Sequence, residues 1–116
     1  MFEYYWLRNY VALLIEPQIE HDLQGRTDVF NLLGKQGWEL TPLHDEPHHY
    51  CFRRKVNDLD RKKYEYKWVR HYVPLNNDQQ IQSDLDRRTH IFNSLAKQGW
   101  VFIGGELSMY CFMREI

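Results

Sequence analysis

Lys35-Gln36-Gly37-Trp38 and Lys97-Gln98-Gly99-Trp100 are the same four residues, and each copy follows a Phe-Asn pair, Phe30-Asn31 and Phe92-Asn93. A glycine behind a polar Lys-Gln pair reads as a helix stop, because the C′ position takes a left-handed conformation that a Cβ disfavours. The tryptophan behind it opens a strand. The phrase therefore spells, twice, a last helical turn, a stop and a strand anchor. Its recurrence implies a duplicated unit.

Working outward, the copies align without a gap at an offset of 62 positions as far as this phrase. Glu3, Tyr4, Trp6, Arg8, Tyr10 and Val11 meet Glu65, Tyr66, Trp68, Arg70, Tyr72 and Val73. Ile19, Asp22, Leu23, Arg26, Thr27 and Leu33 meet Ile81, Asp84, Leu85, Arg88, Thr89 and Leu95. The first copy then carries two extra residues, after which Tyr50-Cys51-Phe52 and Arg54 meet Tyr110-Cys111-Phe112 and Arg114. Two copies of this length make no solenoid; they must bury each other.

Each unit reads as strand, helix, strand, strand. Residues 2–11 and 64–73 alternate in the period of a strand. Pro17, and Asn76-Asn77-Asp78, are helix-start signals. Ile19, Leu23, Phe30 and Leu33 form one helical stripe, as do Ile81, Leu85, Phe92 and Leu95. Asp22 with Arg26, and Asp84 with Arg88, are spaced as ion pairs along each helix. Residues 38–43 and 50–56 are expected to form a hairpin across Asp45-Glu46-Pro47. Residues 100–103 and 110–116 are expected to form another across Gly104-Gly105-Glu106.

The expected architecture is α+β, with residues 1–56 and 64–116 as tandem repeats, a polar linker at 57–63, and one compact pseudo-twofold domain. Each unit has its third strand between the first two, fully antiparallel. Joined at an edge, the units would give about six strands with two helices on one face.

The motifs resemble those of small bacterial and phage-type domains of unknown function with a β–α–β–β unit. That family has a "yeYk" first strand, a "GxxGWEL" helix end and an "FkR" last strand. Here these are Phe2-Glu3-Tyr4, Gly34-Lys35-Gln36-Gly37-Trp38-Glu39-Leu40 and Phe52-Arg53-Arg54. The second copy departs at Ala96 and at Val101-Phe102. The resemblance implies the fold of the unit and brings no activity, so it carries over no catalytic residue.

Composition narrows the function. The 116 residues are 43% hydrophobic and 16% aromatic, enough for a packed core, and the net charge of −1 offers no basic field to nucleic acid. No apolar run reaches the length of a membrane span, and the N-terminus has no secretory pattern. With two cysteines, a reducing, cytoplasmic setting is expected.

Several groupings could carry chemistry. His44, His48 and His49, with Asp45 and Glu46, have the ligand types of a transition-metal site. A polar, exposed hairpin tip is the plainer reading, and the second copy has no histidine there, so no metal or other cofactor is expected. Cys51 and Cys111 sit between aromatic neighbours, as small buried thiols do. There is no CxxC, no nucleophile-base pattern and no glycine-rich phosphate loop. The run Arg53-Arg54-Lys55 with Arg61-Lys62-Lys63 has aromatic neighbours, as a nucleic-acid surface would. The second unit does not repeat it, so a solvated strand end and linker is the plainer reading.

The first strands are apolar on both sides: Tyr4, Trp6, Tyr10, Tyr66, Trp68 and Tyr72 on one, Leu7, Val11, Val69 and Val73 on the other. Two helices cover one face of a six-stranded sheet, and an aromatic face left in water would be an unusually large apolar patch. Another copy of the chain, a partner protein or a flat ligand should cover it; alternatively the two units sandwich each other. The expectation is a non-catalytic protein-binding module, of the inhibitor or adaptor kind found in phages and mobile elements, acting on a protein partner or on itself. The alternative is a nucleotide or other small ligand, stacked on Trp6, Tyr10, Trp68 or Tyr72 and held by Arg8, Arg70, Arg54 or Arg114.

Overall fold

A computed structural model describes residues 1–43 and 46–116. The elements run β1 (Phe2–Arg8), α1 (Glu16–Lys35), β2 (Glu39–Leu40), β3 (His49–Lys55), β4 (Tyr64–Arg70), α2 (Asp78–Lys97), β5 (Val101–Glu106) and β6 (Met109–Glu115). The chain is α+β with two helices and two three-stranded antiparallel sheets, ordered β1-β3-β2 and β4-β6-β5.

The repeated phrase ends both helices. Gly37 and Gly99 have φ of 88° and 90°. The Gly37 N–H donates to Gly34 O at 3.0 Å and the Trp38 N–H to Leu33 O at 3.1 Å; Gly99 and Trp100 repeat both bonds. These are the two closing bonds of a Schellman motif. At the other end, Pro17 occupies the first turn of α1, while the Asn77 side chain caps α2 by accepting the Gln80 N–H at 2.8 Å.

The six strands do not form the one sheet expected. β4 would have to pair along an edge of the first sheet, but it lays its face against α1 instead. Tyr66 and Trp68 account for this, since each is large and each meets the Phe30 ring edge-on at 5.6 Å. Phe30 also meets Tyr50 at 5.1 Å and Phe52 at 5.0 Å, so one ring joins both sheets. The Tyr66 hydroxyl donates to Trp38 O and accepts from the Leu40 N–H, both at 2.9 Å, plugging β4 into the groove between α1 and the β2 edge. Gly34 permits the approach, because a Cβ there would overlap the Tyr64 carbonyl oxygen.

This packing runs one way. A twofold exchanging the units would also lay α2 along β1, and the described residues show no packing of comparable extent there. In consequence α1 buries Ile19, Leu23, Arg26, Phe30 and Gly34, whereas α2 buries only Asp84 and Leu95.

Other local expectations change. The second hairpin turns at Leu107-Ser108, both with positive φ, and Gly104-Gly105-Glu106 belong to β5. Gly104 marks a register shift opposite β6, and a glycine suits such a bulge. β2 has only two paired residues. Neither helix forms its expected i,i+4 ion pair: Asp22 accepts from Gln18 and from the Ala12 N–H, and Asp84 faces Arg87 at 3.7 Å. Arg26 turns inward because it lies within the Leu23–Phe30 stripe.

Candidate binding surface

The register places Tyr5, Leu7, Tyr50 and Phe52 on one face of the first sheet, toward α1, and Tyr4, Trp6, Cys51 and Arg53 on the other. The same positions of the second sheet put Tyr66, Trp68, Cys111 and Met113 on the matching face. Equivalent residues meet opposite fates. Tyr66 and Trp68 are 2% and 6% exposed beneath α1; Tyr4 and Trp6 are 61% and 59% exposed. Cys111 is fully buried and Cys51 partly so, and both are free thiols. Burial pushes the Cys111 thiol upward and keeps it protonated.

The eight residues expected to bind do not converge. Trp6, Arg8 and Tyr10 lie together and exposed along β1 and its extension; Tyr72 is exposed elsewhere, and Trp68 is interior. The Arg70 guanidinium pairs with Glu16 at 2.8 Å. Arg54 stacks on Trp38 at 4.3 Å, bonds Glu3 and donates to Gln36 O at 2.9 Å. Arg114 repeats this with Trp100, Glu65 and Gln98 O. Both arginines therefore strap a helix C-terminus, whose carbonyls they satisfy, to its own sheet.

Between linker and first sheet lies a cleft of about 420 Å³ that includes Arg53, Arg54, Arg61 and Lys62. Its arginines and Lys62 are engaged: Arg53 lies over Phe2 at 4.6 Å, Arg61 donates to Asp58 O at 2.9 Å, and Lys62 faces Glu115 at 3.7 Å. Arg53, Arg54, Arg61 and Lys62 of the basic run thus act locally, and Lys55 and Lys63 are exposed.

Of the histidine cluster, His44 and Asp45 lie outside the described residues. The His48 Nδ1 is 3.0 Å from Arg26 Nη2, and His49 Nδ1 is 2.9 Å from Pro47 O. Among the described residues no three His, Cys, Asp or Glu side chains are grouped to hold a metal, and no helix is long and apolar enough to cross a membrane.

The strongest polar cluster centres on Arg26, which is fully buried. It donates to Glu106 Oε1 at 3.2 Å, Asn9 O at 2.8 Å and Asn9 Oδ1 at 3.3 Å, and its guanidinium lies 4.7 Å over the Trp68 ring. Glu106 also accepts from the Tyr50 hydroxyl and from the His48 N–H at 3.2 Å. Burial lowers the Arg26 pKa, offset by Tyr50 and Glu106, while burial raises that of the Tyr50 phenol, which stays a donor. The bonds that Arg26, Tyr50 and the His48 N–H make to Glu106 join the two units, and those of Arg26 to Asn9 stay within the first.

No protein-family model, curated protein or solved structure matches the chain. The site therefore rests on its own geometry.

Proposed function

We propose that the chain is a non-catalytic protein-binding module whose contact surface is the outer face of β1 with β3. The observation that carries this reading is the exposure of Tyr4 and Trp6, two large aromatic groups whose counterparts Tyr66 and Trp68 are buried in a protein–protein-like contact inside the same chain. Aromatic and arginine side chains are the commonest hot spots of interfaces, and Arg8 stands beside them on the same face. A face of this size buries roughly 800 Å² per partner, the range of a specific complex. Arg54, Arg70 and Arg114 are engaged by carboxylates of the chain, which leaves the small-ligand reading with Arg8 alone of its four anion-binding groups.

The test is a double replacement, Tyr4→Glu with Arg8→Glu, compared with the unaltered protein by chemical cross-linking at native abundance. The reading expects cross-linked partners, of whatever identity, to be lost while the circular-dichroism spectrum persists. Retention of every partner by the folded variant would refute it.

A further inference from the structure

We propose that the partner at this face is a second copy of the chain, seated head to tail, with β1 of one copy lying along α2 of the next as β4 lies along α1 within each copy. The inference rests on the reading of the β1 face as a contact surface and names its occupant. The chain makes this contact once internally and leaves one complementary half open at each end.

Three polar links hold the second sheet to α1, two through β4 and one through the end of β5. Asn31 Oδ1 accepts the Tyr66 N–H at 2.6 Å, Arg70 pairs with Glu16 at 2.8 Å, and Arg26 pairs with Glu106 at 3.2 Å. Tyr4 and Arg8 match Tyr66 and Arg70 at the offset of 62, Glu46 matches Glu106 at the offset of 60 that follows the two extra residues, and all three are exposed. The helix-side members Asn93, Asp78 and Arg88 match Asn31, Glu16 and Arg26; the first two are exposed and the third is half-buried. Every charge needed for a second contact is thus present with the right sign at the right end.

Arg88 differs from Arg26 in its surroundings. Its Nε is buried and has no hydrogen-bond partner among the described residues. Asn9, which takes the Nε–H of Arg26, is replaced by His71 in the second unit, so the orphaned Arg88 Nε reflects a partner lost within its own unit, while the Arg26 atom that meets Glu106 is Nη1. The apolar surface agrees. Leu85 and Phe102, in the α2–β5 groove, are 36% and 46% exposed, whereas their counterparts Leu23 and Leu40 are 3% and 5% exposed under β4.

One position alters the copy. Gly34, where a Cβ would strike the Tyr64 carbonyl, is Ala96 in α2. The incoming β1 must sit farther from its helix, so the contact between chains is looser than the one within. Such a heterologous contact closes into a ring if its rotation completes a circle and otherwise extends.

The experiment is native mass spectrometry with sedimentation velocity on the pure protein over a concentration series. Tyr4→Glu breaks the strand end and Asn93→Glu the helix end. Each variant alone should be monomeric, and mixing the two should restore a 1:1 complex through the one intact pair of halves. Ala96→Gly should tighten assembly about tenfold, since it restores the close approach of Gly34. As a milder check, Arg8→Glu and Asp78→Arg should each weaken assembly and recover it when combined in one chain. Three outcomes would overturn the inference. An unaltered protein that stays monomeric at every concentration removes the second copy as occupant but leaves the β1 face open to a different protein. Assembly lost with Tyr4→Glu but untouched by Asn93→Glu shows a face-to-face contact instead. Assembly indifferent to both variants removes the β1 face as well.

Discussion

Arg26 meets Glu106 at 3.2 Å although 80 residues separate them, and this bond ties α1 to the β5–β6 hairpin. The Arg26 side chain is wholly buried and that of Glu106 is 12% exposed, so removing either partner strands a charge. Arg26→Met or Glu106→Gln should each cost about 3 kcal/mol in urea denaturation. The double variant should cost less than the sum of the two, the mark of direct coupling.

His48 gives the cluster a pH dependence. Its folded-state pKa is lowered by burial first, with Arg26 nearby adding to the effect and Glu106 opposing it. The unfolded chain takes up this proton near pH 6.5 and the folded chain only at lower pH. The contribution of His48 is therefore complete above about pH 6.5 and is lost as pH falls from there through the folded value. Melts at neutral pH and at progressively lower pH should show a steeper loss for the unaltered protein than for His48→Asn, which tolerates the positive φ at this position. Equal slopes would remove His48 from the account.

Two glycines of α1 should respond in opposite directions. Nothing lies within 4 Å of a Cβ placed on Gly25, so Gly25→Ala should add about 0.5–1 kcal/mol by helix propensity. Gly34→Ala should cost about 2–3 kcal/mol, because β4 must move off the helix. Paired chemical-denaturation curves decide both.

The helix stops form a third pair. A Cβ on Gly99 meets open space but must adopt a φ of 90°, so Gly99→Ala should cost about 1 kcal/mol from backbone strain alone. Gly37→Ala should cost more, since its Cβ also overlaps the Arg61 side chain. An equal loss at both sites would mean that Arg61 simply swings aside.

The unit was legible in the sequence because its signals are local. Both glycine stops and both helices stand where the repeated phrase and the apolar stripe put them, and each unit has its third strand in the middle. The relation between units was not legible. Tyr4-Tyr5-Trp6 and Tyr66-Lys67-Trp68 carry the same alternation, which assigns a face but not the neighbour that covers it. Two identical patterns cannot tell the strand that docks from the strand that stays exposed. The Arg26 cluster was hidden by its charge, since an arginine four residues after Asp22 looks like a surface pair. The available signal was its place in the buried stripe, three residues after Leu23 and four before Phe30.

The most direct measurement is a photo-crosslinker placed at position 4, in the protein expressed at native abundance, with the same group at the exposed Leu59 as control. If the outer face of β1 is the contact surface, position 4 forms a discrete adduct, position 59 does not, and the adduct at 4 disappears with Arg8→Glu. Adducts at 59 with none at 4, or an adduct at 4 that ignores Arg8→Glu, would contradict the account.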